Sequence, residues 1–290
     1  MEEDKIRAKK SLGQNFLKSK MALSAMVEAG GIISEDIVLE IGPGQGVLTE
    51  KLLETGAKVM AVEKDDRLIE YLNEKFAKEI GKGQFKLIHG DILELNIKEI
   101  LVKNSEDSPF PSQTPPQGET SGFFTYKLIA NIPYYITGLI FRKFLSEDTQ
   151  PQKIVIMVQK EIADRVIARD GKESLLSLSV KAYGAAKKVM KVEKENFSPK
   201  PKVDSAILLI DNISKSFFNE IGEKKFFEVI KTGFAHKRKM LIANLREKFG
   251  RNNLSEIFRE LKIPEKVRAE DLKLEDWKKL IQCIYNNENI

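Results

Sequence analysis

The chain has 290 residues, of which 42% are hydrophobic and 31% are charged, the composition of a globular protein of one or two domains. No uninterrupted apolar run approaches the ~20 residues of a membrane-spanning helix, and no apolar segment of a signal peptide follows the charged N-terminus. The single cysteine, Cys283, excludes an internal disulfide, and one thiol with two histidines argues against a zinc enzyme. These features predict a cytoplasmic protein that uses neither a metal nor a membrane.

The net charge of +5 is concentrated at one end of the chain. From Lys215 to the C-terminus there are 17 Lys and Arg against 12 Asp and Glu, so this segment holds the whole excess. Clustered basic side chains attract polyanions through the release of counterions, which favours a nucleic-acid partner. The alternative is a lysine-rich surface that is merely solvated.

The first two-thirds of the chain alternates short apolar runs with helical spacing. This alternation predicts an α/β fold with a doubly wound, mostly parallel sheet and right-handed crossovers. Strands are predicted at 37–41, 58–62, 85–89, 126–130, 154–158, 189–192 and 203–210. Helices are predicted between them at 18–29, 47–54, 65–79, 97–103, 137–145, 160–168 and 175–183.

Two stretches depart from this alternation. Residues 104–122 are rich in proline, serine and glycine, which predicts a disordered surface insertion. From Phe217 onwards only helical patterning is present, which predicts a small all-helical domain. We therefore expect one domain over 1–211 and a second, helical domain over 212–290, whose charge excess favours nucleic-acid binding.

A glycine loop follows the first predicted strand of the sheet. Its sequence, Gly42-Pro43-Gly44-Gln45-Gly46, allows the backbone to turn tightly and lets a ligand approach where a Cβ would obstruct it. The spacing G-x-G-x-G differs from the G-x-G-x-x-G of dinucleotide-phosphate sites. The loop therefore favours a nucleoside over a pyrophosphate.

Two acids stand at the ends of the next two predicted strands. Glu63 is placed to accept both hydroxyls of a ribose, and Asp91 to accept the amine of an adenine, with Ile92 beside it as an apolar wall. A glycine loop and two acids on three consecutive strand ends favour S-adenosylmethionine over NAD and over unremarkable loops.

Asn131-Ile132-Pro133-Tyr134 ends the fourth predicted strand. A methyl donor bound nearby could transfer its methyl group to an exocyclic amine such as adenine N6. That nitrogen is a poor nucleophile because its lone pair is delocalised into the ring. Hydrogen bonds accepted by the Asn131 side chain and by the Ile132 or Pro133 carbonyl would localise that lone pair, while Tyr134 stacks on the base. The alternative is a proline-stiffened turn with core tyrosines, and for Tyr135 we expect such a packing role.

Two basic segments are candidates for RNA contacts. Phe197 begins a loop in which it would close the second face of a base, while Lys200 and Lys202 meet phosphates; the alternative is a rigid connection with a core phenylalanine. The second segment opens a helix predicted over 239–249, in the part of the chain that carries the charge excess. Its cations are Lys237, Arg238 and Lys239.

Taken together, these motifs resemble the bacterial small-subunit rRNA adenine dimethyltransferase family, and the resemblance covers nearly the whole chain. It is carried by Gln14 to Leu17, Leu39 to Thr49, Gly90 to Ile92, Asn131 to Tyr134, Gln159 to Ala163, Phe197 to Ala206 and Phe234 to Leu245. The insertion at 104–122 lies outside the family pattern.

The resemblance implies a class I methyltransferase fold, a Rossmann-like seven-stranded mixed sheet with one antiparallel strand, followed by a small helical domain. It implies formation of N6,N6-dimethyladenine at two adjacent adenines of 16S rRNA in the small ribosomal subunit, a role in subunit biogenesis, and a monomer. It also implies that Asn131 and Pro133 orient the amine while Tyr134 and Phe197 sandwich the base. The implied cofactor contacts are Asn15, Leu17, Gly42, Glu63, Asp91 and Asn131.

Two rival functions share the catalytic motifs. A 23S rRNA adenine methyltransferase of the macrolide-resistance type resembles this chain through the catalytic domain. The loop at 197–206 followed by the basic segment at 234–245 favours the small-subunit enzyme. A non-catalytic ribosome-assembly factor of the same fold is the other rival, but Glu63 and Asn131 are both present.

Overall fold

The computed structural model describes residues 8–101, 125–250 and 254–286, and the predicted insertion at 104–122 lies outside them. The described residues form two compact units. One comprises the residues up to Ala163 together with Lys187–Ile213, and the other comprises Asp164–Ala186 together with the residues from Ser214 onwards. The segment Asp164–Ala186 therefore contacts the C-terminal helices, although it precedes the boundary expected at residue 211. No helix in the described ranges is long and apolar enough to cross a membrane.

The strands of the described residues form two sheets. They are β1 (Phe16–Leu17), β2 (Ile37–Ile41), β3 (Lys58–Glu63), β4 (Phe85–His89), β5 (Lys127–Asn131), β6 (Lys153–Gln159), β7 (Ala185–Val192), β8 (Phe197–Ser198) and β9 (Ser205–Asp211). Seven strands make the main sheet in the order β4-β3-β2-β5-β6-β9-β7, and β1 pairs antiparallel with β8. In the main sheet β4, β3, β2, β5 and β6 are parallel, whereas β9 is antiparallel to β6. The doubly wound, seven-stranded mixed sheet is confirmed.

The carboxyl ends of four neighbouring strands lie level at one edge of this sheet. Ile41 of β2 pairs with Val62 of β3 and with Ala130 of β5, and Glu63 pairs with His89 of β4. Because β2 lies between β3 and β5, the strand order reverses there. Ligands of open α/β sheets bind in the crevice at such a reversal.

The first four α-helices contact the strands of the sheet and help to bury its apolar runs. The first eight are α1 (Lys20–Gly30), α2 (Val47–Leu53), α3 (Asp66–Lys75), α4 (Ala77–Gly81), α5 (Ile97–Ile100), α6 (Thr137–Ser146), α7 (Lys160–Val166) and α8 (Leu175–Lys181). The single helix predicted over 65–79 is divided at Phe76, which is buried and lies against Phe85 with ring centroids 5.0 Å apart. Burial of this ring fixes the α3–α4 corner against β4.

The second unit is helical. Beyond α8 it contains α9 (Glu223–Gly233), α10 (Leu241–Phe249), α11 (Leu254–Glu260) and α12 (Leu274–Asn286). Trp277 and Phe226 are fully buried in its core, and a Cβ on Gly233 would lie 2.4 Å from the Trp277 ring. The described residues from Ser214 onwards include no strand, which confirms the predicted helical C-terminal part.

Candidate functional site

One cavity opens at the level edge of the main sheet, where the glycine loop and the ends of β3, β4 and β5 meet. Its walls also include the segment before α1. The predicted residues that line it are Asn15, Leu17, Gly42, Gly44, Glu63, Asp91, Ile92, Asn131, Pro133 and Tyr134. Strand order has therefore brought together residues from four separate motifs.

The three glycines of the loop all have positive φ, but for different reasons. A Cβ on Gly42 would meet no atom within 4 Å, so this position is open towards the cavity. A Cβ on Gly44 would lie 3.0 Å from the Phe16 ring, and one on Gly46 would lie 2.6 Å from the Phe76 ring. Gly42 leaves space for a ligand, whereas Gly44 and Gly46 allow close packing of the loop.

Glu63 is held rigidly at the end of β3. Its side chain is buried and accepts hydrogen bonds from the backbone N–H groups of Gly44 (3.1 Å), Lys64 (2.9 Å) and Asp65 (2.9 Å). Burial raises the pKa of this carboxyl, and the three hydrogen bonds oppose the shift without cancelling it. Two of these bonds occupy Oε1 and one occupies Oε2, so one lone pair on Oε2 remains for a ribose hydroxyl, and acceptance of both hydroxyls stays a prediction.

Asp91 follows β4 and is already paired. One oxygen accepts the backbone N–H of Leu93 at 2.9 Å, and the other accepts the Lys64 ammonium at 2.6 Å. Burial raises the pKa of Asp91, but the hydrogen bonds from Lys64 and Leu93 outweigh it, so the pKa lies below its ordinary value. Ile92 beside it is buried. An adenine amine at Asp91 would have to share this carboxylate with Lys64, so the role predicted for Asp91 stays a prediction.

Asn131 is oriented by the segment before α1. Its side-chain Nδ2 donates to the Asn15 carbonyl at 3.3 Å, and the Asn15 side chain donates in turn to the Gly13 carbonyl at 3.1 Å. Because the amide nitrogen of Asn131 is engaged, its oxygen is available to accept. This is the orientation that the predicted hydrogen bond from an adenine amine requires.

The two tyrosines after Pro133 point to different environments. Tyr134 is half-buried, its hydroxyl lies 2.6 Å from the Ser205 hydroxyl, and burial raises its pKa. Tyr135 is 66% exposed at the cavity wall. The packing role expected for Tyr135 is therefore wrong, because the 3₁₀ turn Tyr134–Ile136 directs successive side chains to different sides.

Phe197 lies in the core and does not line the cavity. It is 2% exposed, belongs to the apolar cluster under the sheet, and pairs through β8 with Leu17 of β1. Stacking on a base would require the ring to leave this position, so that role stays a prediction. Residues 197–202, with Pro199 and Pro201 beside the two lysines, form the proline–lysine loop, and the pairing of Phe16 with Ser198 places its start beside the cavity wall.

The two lysines of this loop differ in their partners. Lys200 donates to Glu195 at 2.5 Å, so much of its charge is compensated. Lys202 is exposed and forms no ion pair with any described residue. Of this pair, Lys202 is the better candidate for a phosphate contact.

The basic segment of the second unit is a loop. Residues 235–240 are all exposed and precede α10, whereas the sequence pattern started the helix at Lys239. Lys239 pairs with Glu247 at 2.7 Å. Within the described ranges, Lys237 and Arg238 have no ion-pair partner, so their charge is free for a polyanion.

Glu40 is a cavity residue that the sequence reasoning did not assign. It is 1% exposed in β2, and the Thr49 hydroxyl donates to it at 2.6 Å. Burial raises its pKa to about 8. The available signal was a charged residue inside an apolar strand directly before the glycine loop.

Asp65 also went unassigned, although it ties the N-terminal segment to the end of β3. It is 4% exposed and accepts hydrogen bonds from Gln14 Nε2 at 2.9 Å and from the Arg67 guanidinium at 2.6 Å. These hydrogen bonds, that from Arg67 first, lower its pKa to about 2. The contact joins residues far apart in the chain, so no local pattern predicts it.

Three carboxylates outside the cavity lie within 4.8 Å of one another: Glu193, Glu195 and Asp204. Lys191 bridges Glu193 (3.0 Å) and Asp204 (2.9 Å), and Lys200 pairs with Glu195. Lysines therefore already compensate these acids, and the expectation of a metal-free protein stays a prediction.

The strand order, the glycine loop and the buried acids define a class I methyltransferase that uses S-adenosylmethionine as its methyl donor. The residues fit this cofactor, because Gly42 faces open space and Glu63 presents a fixed carboxylate beside it. A family model described as ribosomal RNA adenine dimethylase matches residues 5–286. The chain belongs to that family, and it is an enzyme.

Named relatives agree with this assignment. The ribosomal RNA small subunit methyltransferase A of Dehalococcoides mccartyi is 39% identical over 282 residues, which cover 97% of this chain and 89% of that protein. The protein of the same name from Clostridium botulinum is 35% identical over 280 residues, covering 96% and 94%.

Solved structures show the same fold. A dimethyladenosine transferase from Plasmodium falciparum has a TM-score of 0.74 and 28% identity, covering 95% of this chain and 98% of that chain. The 23S rRNA methyltransferase ErmE has a TM-score of 0.71 and 22% identity, covering 93% and 100%. The likeness to ErmE supports the fold alone.

Proposed function

We propose that this enzyme dimethylates the N6 amines of two adjacent adenines in the 16S rRNA of the small ribosomal subunit, and so takes part in subunit biogenesis. The supporting observation is the orientation of Asn131, whose Nδ2 is engaged by the Asn15 carbonyl beside Tyr134 at the mouth of the cofactor cavity. The relatives at 34–39% identity are named for the small subunit.

The chain's own residues position the base. S-adenosylmethionine, when bound, supplies a methyl group on a positively charged sulfur. Asn131 Oδ1 and the Pro133 carbonyl accept hydrogen bonds from the adenine amine, which pulls the nitrogen towards tetrahedral geometry and localises its lone pair. The Pro133 oxygen already accepts the Ile136 N–H at 3.2 Å and has a second lone pair for the amine. The proton released from the amine passes to water, so no strong base is needed.

Stacking holds the ring while the amine is oriented. Tyr134 lies at the cavity wall and stacks on the base, a contact worth roughly 1–3 kcal/mol. Phe197 closes the second face if its ring leaves the core. The adenine must be unpaired or flipped out to reach this position.

Basic side chains of both units meet the RNA backbone. In the first unit these are Lys200 and Lys202 of the proline–lysine loop. The helical segment 212–290 is the proposed RNA-binding domain, and its exposed Lys237, Arg238 and Lys239 precede α10. We further propose that the protein acts as a monomer in the cytoplasm, where ribosomal subunits assemble and a lone Cys283 stays reduced.

The rival substrates can be separated directly. Labelled S-adenosylmethionine is incubated with the protein and either unmethylated small subunits, naked 16S rRNA or unmethylated large subunits, and the modified adenines are mapped. We expect two adjacent dimethyladenines in the small-subunit RNA. Modification confined to the large subunit contradicts the proposed substrate, and binding to small subunits without methyl transfer would identify an assembly factor.

A further inference from the structure

A row of exposed side chains leads away from the cavity along α6. Tyr135 and Leu139 are 66% and 50% exposed, and Arg142 is also exposed. The 3₁₀ turn at 134–136 continues directly into α6, so residues spaced by four and then three positions share one face. We call Tyr135, Leu139 and Arg142 the α6 stripe.

The Tyr135 ring is held in place although most of it faces solvent. A Cβ on Gly13 would lie only 3.1 Å from Tyr135 Cε1, so the ring lies against the bare backbone of that glycine. Gly13 has φ +63°, a conformation that favours glycine at this contact. A ring fixed on one side and open on the other is a preorganised stacking surface.

The stripe is continuous with the proposed catalytic site. Tyr135 follows Tyr134 directly and lines the same cavity. At the other end, Arg142 forms no ion pair with any residue that the structure describes, so its charge has no acidic partner there. The face therefore runs from the place of the target base, through an apolar side chain, to the exposed Arg142 guanidinium.

We propose that the α6 stripe binds the unpaired RNA strand next to the target adenine, with the neighbouring base stacked on Tyr135, its sugar on Leu139 and a phosphate on Arg142. This inference rests on the proposed function. An RNA strand supplies each of these groups, and its charge complements Arg142. A protein partner fits less well, because stable protein interfaces bury on the order of 1,600 Å² and two apolar side chains offer far less.

Binding of a fluorescent hexa-adenylate RNA tests the stripe while the protein is saturated with S-adenosylhomocysteine. Stacking on an aromatic side chain is sequence-tolerant, so this probe is sufficient. We expect Tyr135→Ala to weaken binding about tenfold and Tyr135→Phe to stay within about twofold of the parent. Arg142→Gln should lower the slope of log Kd against log salt by about 0.7, the value for one phosphate contact on a single strand.

The matched control is Lys82→Gln, which removes one exposed cation outside the cavity walls and the stripe. It should leave both the affinity and the salt slope at the parent values. Equal slopes for Arg142→Gln and Lys82→Gln mean that Arg142 acts only through net charge, which overturns its assigned contact.

Other outcomes overturn the stripe itself. One is hexa-adenylate binding by Tyr135→Ala within twofold of the parent, and another is no measurable binding by the parent. The third is a loss of S-adenosylmethionine affinity in Tyr135→Ala, measured by calorimetry, that equals its loss of RNA affinity. Equal melting temperatures establish that these surface variants fold. Methyl transfer by the parent to small subunits tests the proposed function separately, so failure of the stripe and failure of the function are distinguishable.

Discussion

The two sides of the cavity differ in how their polar side chains are held. On the cofactor side, Glu63 accepts three backbone N–H groups, and Asp91 accepts one backbone N–H and one ammonium group. On the base side, Asn131 makes one hydrogen bond of 3.3 Å, and Tyr134 makes one through its hydroxyl. Backbone geometry fixes the cofactor side, while single contacts hold the base side.

This difference corresponds to what each side must bind. The cofactor is a small molecule of one constitution, so fixed acceptors at strand ends recognise it at little ordering cost. The target base arrives attached to an RNA strand and must enter from solvent. Phe197, which the proposed sandwich requires, is still buried with 2% exposure, so the base side is not fully assembled.

The largest effect that separates the two sides is expected for Asn131→Ala. Its loss removes an acceptor for the amine, so the single-turnover rate of methyl transfer should fall by about 10²- to 10³-fold, as when one preorganised hydrogen bond at a reacting group is lost. Calorimetry should show cofactor affinity largely unchanged. Asn73→Ala, at an exposed position on α3, is the control. A rate within a few-fold of the parent contradicts the orienting role.

Glu63→Gln should show the opposite pattern. Loss of a charged acceptor for the ribose is expected to weaken S-adenosylmethionine binding by roughly tenfold or more. Because the pKa of Glu63 is raised, lowering the pH protonates this carboxylate earlier than an ordinary glutamate. Parent affinity should therefore fall as the pH falls, while the variant stays flat in calorimetry. Parallel pH profiles of affinity for the parent and for Glu63→Gln would show that Glu63 does not bind the ribose.

Phe197→Leu tests whether the buried ring also serves the base side. A leucine keeps an apolar side chain in the core, so the free energy of unfolding should fall by only about 1 kcal/mol. If the ring stacks on the adenine, methyl transfer to RNA should fall about tenfold at unchanged cofactor affinity. Activity equal to the parent leaves Phe197 with a packing role alone.

A smaller effect is expected from the paired substitution Lys237→Gln with Arg238→Gln. Removing two phosphate contacts should lower the salt slope of small-subunit rRNA binding by roughly 1.4 to 1.8. The pair Lys262→Gln with Lys266→Gln removes two other exposed cations of the second unit and should leave the slope unchanged. If both pairs change it equally, residues 237–238 contribute only net charge.

Glu40→Gln is expected to change the pH dependence of stability. The folded protein keeps the Glu40 proton up to about pH 8, whereas a glutamate with the ordinary pKa of 4.5 releases it earlier. Unfolding therefore releases a proton between these values, and this group lowers stability as the pH rises through that window. Denaturant titrations should show a shallower decline for the variant than for the parent. Glu74→Gln, at an exposed position, should behave as the parent does.

Most of the main sheet was predictable because β2, β3, β5, β6 and β9 are apolar runs that are buried on both faces. The strand predicted at 85–89 has those bounds in β4, and the first strand agrees as well. The two-residue strands β1 and β8 were not predicted, since such short segments have no periodicity. Their pairing depends on residues that meet only after the sheet has formed.

In the site, too, some placements could be predicted from the sequence and others could not. Asn131, Glu63 and Asp91 follow apolar strands in the sequence, so their place at strand ends could be predicted. Tyr134 and Tyr135 are adjacent and chemically identical, and only the 3₁₀ turn shows which is half-buried and which is exposed. Pattern reasoning assigned Tyr135 to packing because it carries no information on this turn.

The sequence by itself determined the chemistry of this protein: a glycine loop, two acids and an asparagine–proline–tyrosine motif in an order that only a few folds can use. Tertiary structure decided the partner of each group. It joined Asn131 to Asn15, paired Lys200 with Glu195 and buried Phe197 against β1. The sequence motifs follow local strand and turn propensities, whereas most of these tertiary contacts depend on strand order and register between distant segments.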